Sequence, residues 1–129
     1  MSINQVFVVT LLAIGAVFFI AMRGVKQNSC FKNTDVKGFK EKMNEQDIVI
    51  VDVRTAAEVA EGAIKGAINI DVNSSSFNQK ISELDKTKTY LVYCRSGARS
   101  ARACNTLCGV GFTKVVNLQG GYLAWAASK

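Results

Sequence analysis

No histidine occurs among the 129 residues. That absence excludes the Ser-His and Cys-His pairs in which an imidazole activates a nucleophile, and it withholds the usual nitrogen ligands of a catalytic zinc. Neither a metal nor a cofactor is expected. The four cysteines, Cys30, Cys94, Cys104 and Cys108, contain no C-x-x-C pair. An even count permits disulfides, but a domain this rich in aliphatic side chains needs no covalent staples, and free thiols in a reducing compartment are expected. A Lys/Arg-rich block is missing as well. The 16 basic and 10 acidic residues leave a net charge of +6 that is scattered along the chain. Such a balance argues against nucleic-acid binding and suits an anionic lipid surface or a small anionic substrate. There is no internal repeat and no low-complexity segment.

Charge is also missing from one end of the chain. Ile3 to Met22 holds no Asp, Glu, Lys or Arg, and its clearly polar residues are Asn4, Gln5 and Thr10. As a helix, about 20 residues rise about 30 Å, the thickness of a hydrocarbon core. A secretory signal peptide opens on basic residues and closes on a small-x-small cleavage site. Here Met1 to Gln5 has no Lys or Arg, and Phe19-Ile20-Ala21 lacks the first small residue. A buried core helix would show a polar face, yet only Thr10 interrupts Val6 to Met22. The segment reads as an uncleaved single membrane span over 3–22, with export behind a signal peptide as the alternative. Arg23, Lys26, Lys32, Lys37, Lys40 and Lys42 follow it, and no basic side chain precedes it. The positive-inside bias then puts the rest of the chain in the cytoplasm. The expected organisation is an anchor over 1–24, a juxtamembrane linker over 25–34 with an edge strand near Phe31, and one domain over 35–129.

About 100 residues suffice for one small domain with a single core. Asp35 is placed to cap a helix in which Val36, Phe39 and Met43 recur at helical spacing. Ile48-Val49-Ile50-Val51 is a β-branched run, the pattern of a strand covered on both faces. A short helix is expected over Ala56 to Glu61, a strand over Ala67 to Ile70 and a polar loop over Asn73 to Asn78. Ile81 and Leu84 suit another short helix. Thr89 to Tyr93 and Val115 to Leu118 read as strands, Ala101 to Cys108 as a helix, and Tyr122 to Ala127 as a terminal helical turn after Gly120-Gly121. Strands alternating with helices predict an α/β fold, an open and mostly parallel sheet flanked by helices.

Cys94-Arg95-Ser96-Gly97-Ala98-Arg99-Ser100 lies between the strand ending at Tyr93 and the following helix. Ligands of open parallel sheets sit beyond the carboxyl ends of the strands, where Cys94 falls. A tight turn feeding a helix aims successive backbone N–H groups inward and makes an anion-binding nest. Gly97 gives the freedom for that curl, and Arg95 and Arg99 add positive charge. These influences favour thiolate over thiol, and a depression of about one to two pKa units corresponds to roughly 1.4–2.7 kcal/mol. A cysteine so placed is a nucleophile without an imidazole base. An inert buried cysteine would leave the glycine and both arginines without a purpose.

The same seven residues resemble the active-site loop of single-domain rhodaneses, the sulfurtransferase family. Val51-Asp52-Val53-Arg54 with Glu58 is similar to that family's first signature, and Gly62-x-Ile64-Lys65-Gly66-Ala67-Ile68-Asn69-Ile70 to its second. Gly111-Phe112, then Asn117-Leu118-x-Gly120-Gly121 and Trp125, resemble the C-terminal one. The apolar N-terminus lies outside the resemblance. What the resemblance implies is a rhodanese-like fold and a ping-pong transfer. Cys94 takes the outer sulfur of an anionic donor such as thiosulfate, and cyanide or a cellular thiol removes it from the Cys94 persulfide. Arg95 and Arg99 would attract the donor, with Arg99 also bracing the loop, while Ser96 and Ser100 bond loop groups or, for Ser100, cap the next helix.

Loop length separates two chemistries. Phosphatases and arsenate reductases that resemble this chain carry a wider loop, suited to a tetrahedral oxyanion. Here four residues stand between Cys94 and Arg99, a cradle for a single sulfur atom. The phosphatase or arsenate-reductase reading remains the alternative, beside a non-catalytic sulfur-relay or interaction module docked on a membrane protein or sulfur acceptor. Asp52, Arg54 and Glu58 read as a structural network, with Arg54 paired to Glu58. Ala63 stands where the family often has histidine, a departure that bears on local packing or donor preference. Cys104 reads as a small core residue. Cys108 sits at the edge of the same apolar stripe, and either cysteine is a weaker candidate for a resolving thiol. Cys30 has only its place near the membrane to recommend it. Trp125 and Tyr122 read as core closure.

Overall fold

The computed structural model describes residues 30–129. The span expected over 3–22 and the anchor over 1–24 lie outside them. Among the described residues no helix is long and apolar enough to cross a membrane.

Strands and helices alternate throughout. The order is β1 (Phe31–Thr34), α1 (Val36–Met43), β2 (Ile48–Asp52), α2 (Ala56–Ala60), β3 (Ile68–Asn69), α3 (Phe77–Ser82), β4 (Thr89–Tyr93), α4 (Ala98–Gly109), β5 (Val115–Leu118) and α5 (Gly121–Ala127). The five strands form one sheet in the order β1-β5-β4-β2-β3. Every pairing in it is parallel, as the alternating pattern predicts. β4 is central and buried, which is why Tyr90-Leu91-Val92-Tyr93 has no polar alternation.

Successive side chains of a strand point to opposite faces, so each apolar run feeds two cores. Val51, Tyr90, Val92 and Val115 meet Phe77 and Ile81 of α3 and Ala103, Cys104 and Leu107 of α4 on one face. Ile50, Leu91, Tyr93, Val116 and Leu118 meet Phe39 of α1 and Trp125 of α5 on the other. Trp125 and Tyr122 thus close a core, as expected, with Phe39 set edge-on to Trp125 and Tyr122 stacked on Tyr93.

Local signals hold where their chemistry is short-range. Asp35 caps α1 by accepting from Gly38 N–H at 2.8 Å. Thr55 and Glu58 form a reciprocal capping box on α2. The edge strand anticipated near Phe31 is β1, which pairs with β5 over Phe31–Thr34. The sheet therefore begins four residues before the boundary read at residue 35. Phe31-Lys32-Asn33-Thr34 is partly buried at its two ends and exposed between them, so its sequence carries no alternation to announce it. α4 begins at Ala98, inside the loop motif, because Gly97 and not Ser100 is its N-cap.

The free-thiol expectation fails for two of the four cysteines. Cys30 and Cys108 are joined in a disulfide, with their Cα atoms 6.0 Å apart, while Cys94 and Cys104 are free. The reason is topological. α4 returns from the end of β4 toward the strand starts and delivers its last turn beside the residue preceding β1. A separation of 78 residues conceals that proximity in the sequence.

Candidate active site

β4 delivers Cys94 to the carboxyl end of the central strand, and Gly97 starts α4 three residues on. Between them the chain turns its carbonyls outward. The N–H groups of Tyr122 and Leu123, among the orphan donors that open α5, bond the carbonyls of Cys94 and Arg95 at 2.8 and 3.1 Å. Gly121 makes this approach possible: its φ is +58°, and a Cβ there would sit 2.6 Å from the Cys94 carbonyl oxygen. Gly97 takes φ +108°, a region that L side chains avoid, and its N–H donates to Cys94 Sγ at 3.1 Å. The nest expected from the strand–turn–helix pattern is present.

Cys94 is only 1% exposed. Burial pushes its thiol up, but the Ser100 hydroxyl and the backbone N–H groups of Ser100, Gly97 and Ser96 outweigh it and hold the group below the ordinary value. Ser100 therefore bonds groups of the loop, as expected of it, and does not cap the helix. Its side chain is fully buried, and its Oγ donates toward Cys94 Sγ at 3.3 Å. The donors to the sulfur are a backbone amide and a hydroxyl, and among the described residues no arginine bonds it.

The two arginines of the loop divide. Arg99 Nη1 and Nη2 hold the Glu58 carboxylate at 2.7 and 2.8 Å, a bidentate bond from α4 to α2. Hydrogen bonding from Arg99 keeps the Glu58 carboxyl down at about 2. Arg99 is thus committed to bracing the loop, whereas Arg95 is exposed on the loop surface. Ser96 and Ala98 are exposed as well.

The expected Arg54–Glu58 pair does not form. Arg54 instead bonds Asp52 through Nε and Nη2, the shortest contact being 2.7 Å, and its Nη2 also donates to the Gly62 carbonyl. Residues two apart in extended chain lie on one side, which gives Asp52 to Arg54 and leaves Glu58 for Arg99. The buried pair is framed by aromatic rings, with the Arg54 guanidinium 4.4 Å from the Tyr122 ring centre. Both acidic residues are therefore structural, as expected, through different partners. Arg54, Glu58, Glu61, Arg95, Tyr122 and Leu123 line a cavity of about 230 Å³ beside the loop. Ala63 is exposed, so the missing imidazole leaves no gap in the core.

Cys104 is a core residue, as its place in the apolar stripe predicts. Burial, with the nearby Cys94 charge, pushes its thiol up to about 12. Of the two resolving-thiol candidates, Cys104 is free but buried and Cys108 is bonded to Cys30. Sequence reasoning places Asn117 of β5 only in the C-terminal motif and misses its contact with the loop: its Nδ2 donates to the Gly97 carbonyl at 3.3 Å. Its signal was a lone amide inside an otherwise aliphatic run.

A parallel α/β sheet with a buried cysteine sulfur, held by a backbone amide and a hydroxyl at the end of its central strand, defines a cysteine-centred group-transfer domain. The family described as Rhodanese-like domain matches residues 35–128. A sulfurtransferase from Allochromatium vinosum is 42% identical over 81 residues, 63% of this chain and 74% of that protein. A putative sulfurtransferase of Bacillus subtilis, YtwF, is 40% identical over 95 residues, 73% of this chain and 89% of that protein. Among solved structures, a rhodanese-like domain protein from Staphylococcus aureus superposes with a TM-score of 0.66 at 32% identity, covering 73% of this chain and 90% of its own. The chain belongs to the rhodanese-like family, and sulfur transfer is its general chemistry.

Proposed function

We propose that Cys94 is a sulfur carrier that accepts sulfane sulfur from thiosulfate or a persulfide and passes it to a thiol or cyanide. The observation that carries this reading is the pair of donors on Cys94 Sγ, Gly97 N–H at 3.1 Å and Ser100 Oγ at 3.3 Å. The Cys94 thiolate attacks the outer sulfur of thiosulfate. A sulfur–sulfur bond forms on Cys94, the donor's sulfur–sulfur bond breaks, and sulfite leaves with the electron pair. The product is an anionic persulfide, which the inward N–H groups suit as they suited the thiolate. An acceptor thiolate or cyanide then attacks the terminal sulfur and restores the Cys94 thiolate. The sulfur transfers themselves move no proton once the attacking groups are ionised, and a thiol or hydrogen cyanide gives its proton to solvent beforehand, so the missing histidine is no obstacle. Arg95 draws the dianionic donor to the loop mouth.

Intact-mass analysis after thiosulfate treatment tests the reading. The wild type should gain the mass of one sulfur atom, removable by cyanide, and Cys94→Ser should gain nothing. Rapid hydrolysis of aryl phosphates with no response to thiosulfate would instead favour the phosphatase or arsenate-reductase reading. A Cys94→Ser protein that retains its physiological role would favour the docking module.

Location belongs to the same proposal. The basic residues after 3–22 support a membrane-anchored domain on the cytoplasmic side, whereas the Cys30–Cys108 disulfide supports an oxidising compartment. A disulfide is the more demanding of the two, because a reducing pool would remove it. The reading is therefore a domain tethered to or exported across a membrane on its oxidising side. Protease accessibility in intact cells tests it, and full protection of the domain would return it to the cytoplasm.

A further inference from the structure

Asn117 is 3% exposed in a strand whose other residues are Val115, Val116 and Leu118. Strand alternation sets it on the face of Val115, toward α4. Its Oδ1 is buried without a partner among the described residues. Burial penalises such an atom, and an aliphatic residue would complete the strand without that penalty. What the amide adds is two N–H donors. One goes to Asn33 Oδ1 on β1 at 3.0 Å, the other to the Gly97 carbonyl at 3.3 Å.

The Gly97 carbonyl is where the loop's hydrogen bonding is contested. It also accepts from Ala101 N–H at 3.1 Å, and Ser100 Oγ lies 3.1 Å away. A carbonyl oxygen has two lone pairs, whereas a serine hydroxyl has one proton. That proton reaches either the Gly97 carbonyl or Cys94 Sγ, at 3.1 and 3.3 Å, and it cannot serve both. With Ala101 N–H and the Asn117 amide on the carbonyl, the sulfur is the acceptor left open. We infer that Asn117 is a positioning residue for sulfur transfer: its amide occupies the Gly97 carbonyl and so directs the Ser100 hydroxyl proton onto Cys94 Sγ.

The inference deepens the sulfur-carrier reading and rests on it, but its test reads the thiolate directly and needs no sulfur donor. The ionisable groups facing Cys94 are Arg99, held by Glu58, and Cys104 on α4, with Arg95 on the loop itself. None of them bonds Asn117, so a change at Asn117 reaches the sulfur through Gly97 and Ser100. The experiment measures the rate of Cys94 alkylation by iodoacetamide against pH in the full-length protein, followed at the Cys94 peptide by mass spectrometry. In Asn117→Leu the pH midpoint should rise by about one unit, slowing alkylation about tenfold at pH 7, as expected for one lost hydrogen bond to a charged group. In a Ser100→Ala background the same substitution should leave the midpoint where Ser100→Ala alone puts it. Asn33→Ala, which removes the other partner of Asn117, should keep the wild-type midpoint. Where Leu is not accepted, Asn117→Ala removes atoms only and makes the same test. An unmoved midpoint in a folded Asn117 variant, an undiminished shift in the Ser100→Ala background, or an equal shift in Asn33→Ala would overturn the inference. Failure of persulfide formation with these midpoint shifts intact would instead discredit the sulfur-carrier reading alone.

Discussion

Replacing Glu58 by Gln should uncouple the loop brace while keeping the helix cap. Glutamine serves in a capping box as glutamate does, so the bond to Thr55 persists, while the charge opposite Arg99 and one of its two hydrogen bonds are lost, because an amide NH2 cannot accept. The carboxyl sits at about 2 against an ordinary 4.5. That gap sets a ceiling of ~3 kcal/mol on the stabilisation that ionised Glu58 provides. Both side chains are 27% exposed, and solvent screening reduces the expected value to about 1–2 kcal/mol. For a domain of this size that lowers Tm by about 5–10 °C. The sign follows from a depressed folded-state pKa: the contribution is complete above about pH 4.5 and is lost as pH falls toward 2. Thermal melts of wild type and Glu58→Gln between pH 2 and 6 should therefore diverge as pH rises and converge at the acid end. A Tm difference that stays constant across the window would refute the reasoning, because it would assign the effect to packing or capping and not to the ion pair.

Arg95→Gln should raise KM for thiosulfate about three- to tenfold with kcat little changed, and wild-type KM should rise with ionic strength; steady-state kinetics at two salt concentrations check both. Gly121→Ala places a Cβ against the Cys94 carbonyl at a φ of +58°, and a loss of at least ~2 kcal/mol is expected in urea denaturation, with slower Cys94 alkylation. Reducing the Cys30–Cys108 disulfide removes a loop constraint of up to ~4.5 kcal/mol for a closure spanning 78 residues. Melts with and without reductant should differ by about 10 °C or more, and denatured oxidised protein should titrate fewer thiols than reduced protein.

The sheet was legible because burial on both faces writes itself as unbroken runs such as Ile48 to Val51 and Tyr90 to Tyr93. The loop was legible for a related reason: cysteine, glycine and arginine at a strand end have few other uses together. The ion pairs were not. A spacing of four suggests a helical neighbour, but Arg54 precedes α2 in extended chain and bonds Asp52 beside it. The partner of Glu58 is Arg99, 41 residues away, and no local rule reaches that far. Cys30 with Cys108 and Asn117 with Gly97 are hidden in the same way, since each pair meets only after the sheet has set its strand order. Ser100 was visible as a loop residue, but its bond to the sulfur needed the first turn of α4 to bring it round.

Closing the chain between residues 30 and 108 makes a covalent ring, and the proposed carrier Cys94 lies inside it. A small thiol used in excess as sulfur acceptor then has two sulfur–sulfur bonds within reach: the persulfide whose discharge is being measured and the bond that closes the ring. Turnover with such an acceptor would pass gradually from ring to open chain during the assay, with a progress curve that bends for reasons unrelated to catalysis. An acceptor protein that presents one thiolate to the loop mouth would discharge Cys94 and leave the ring closed.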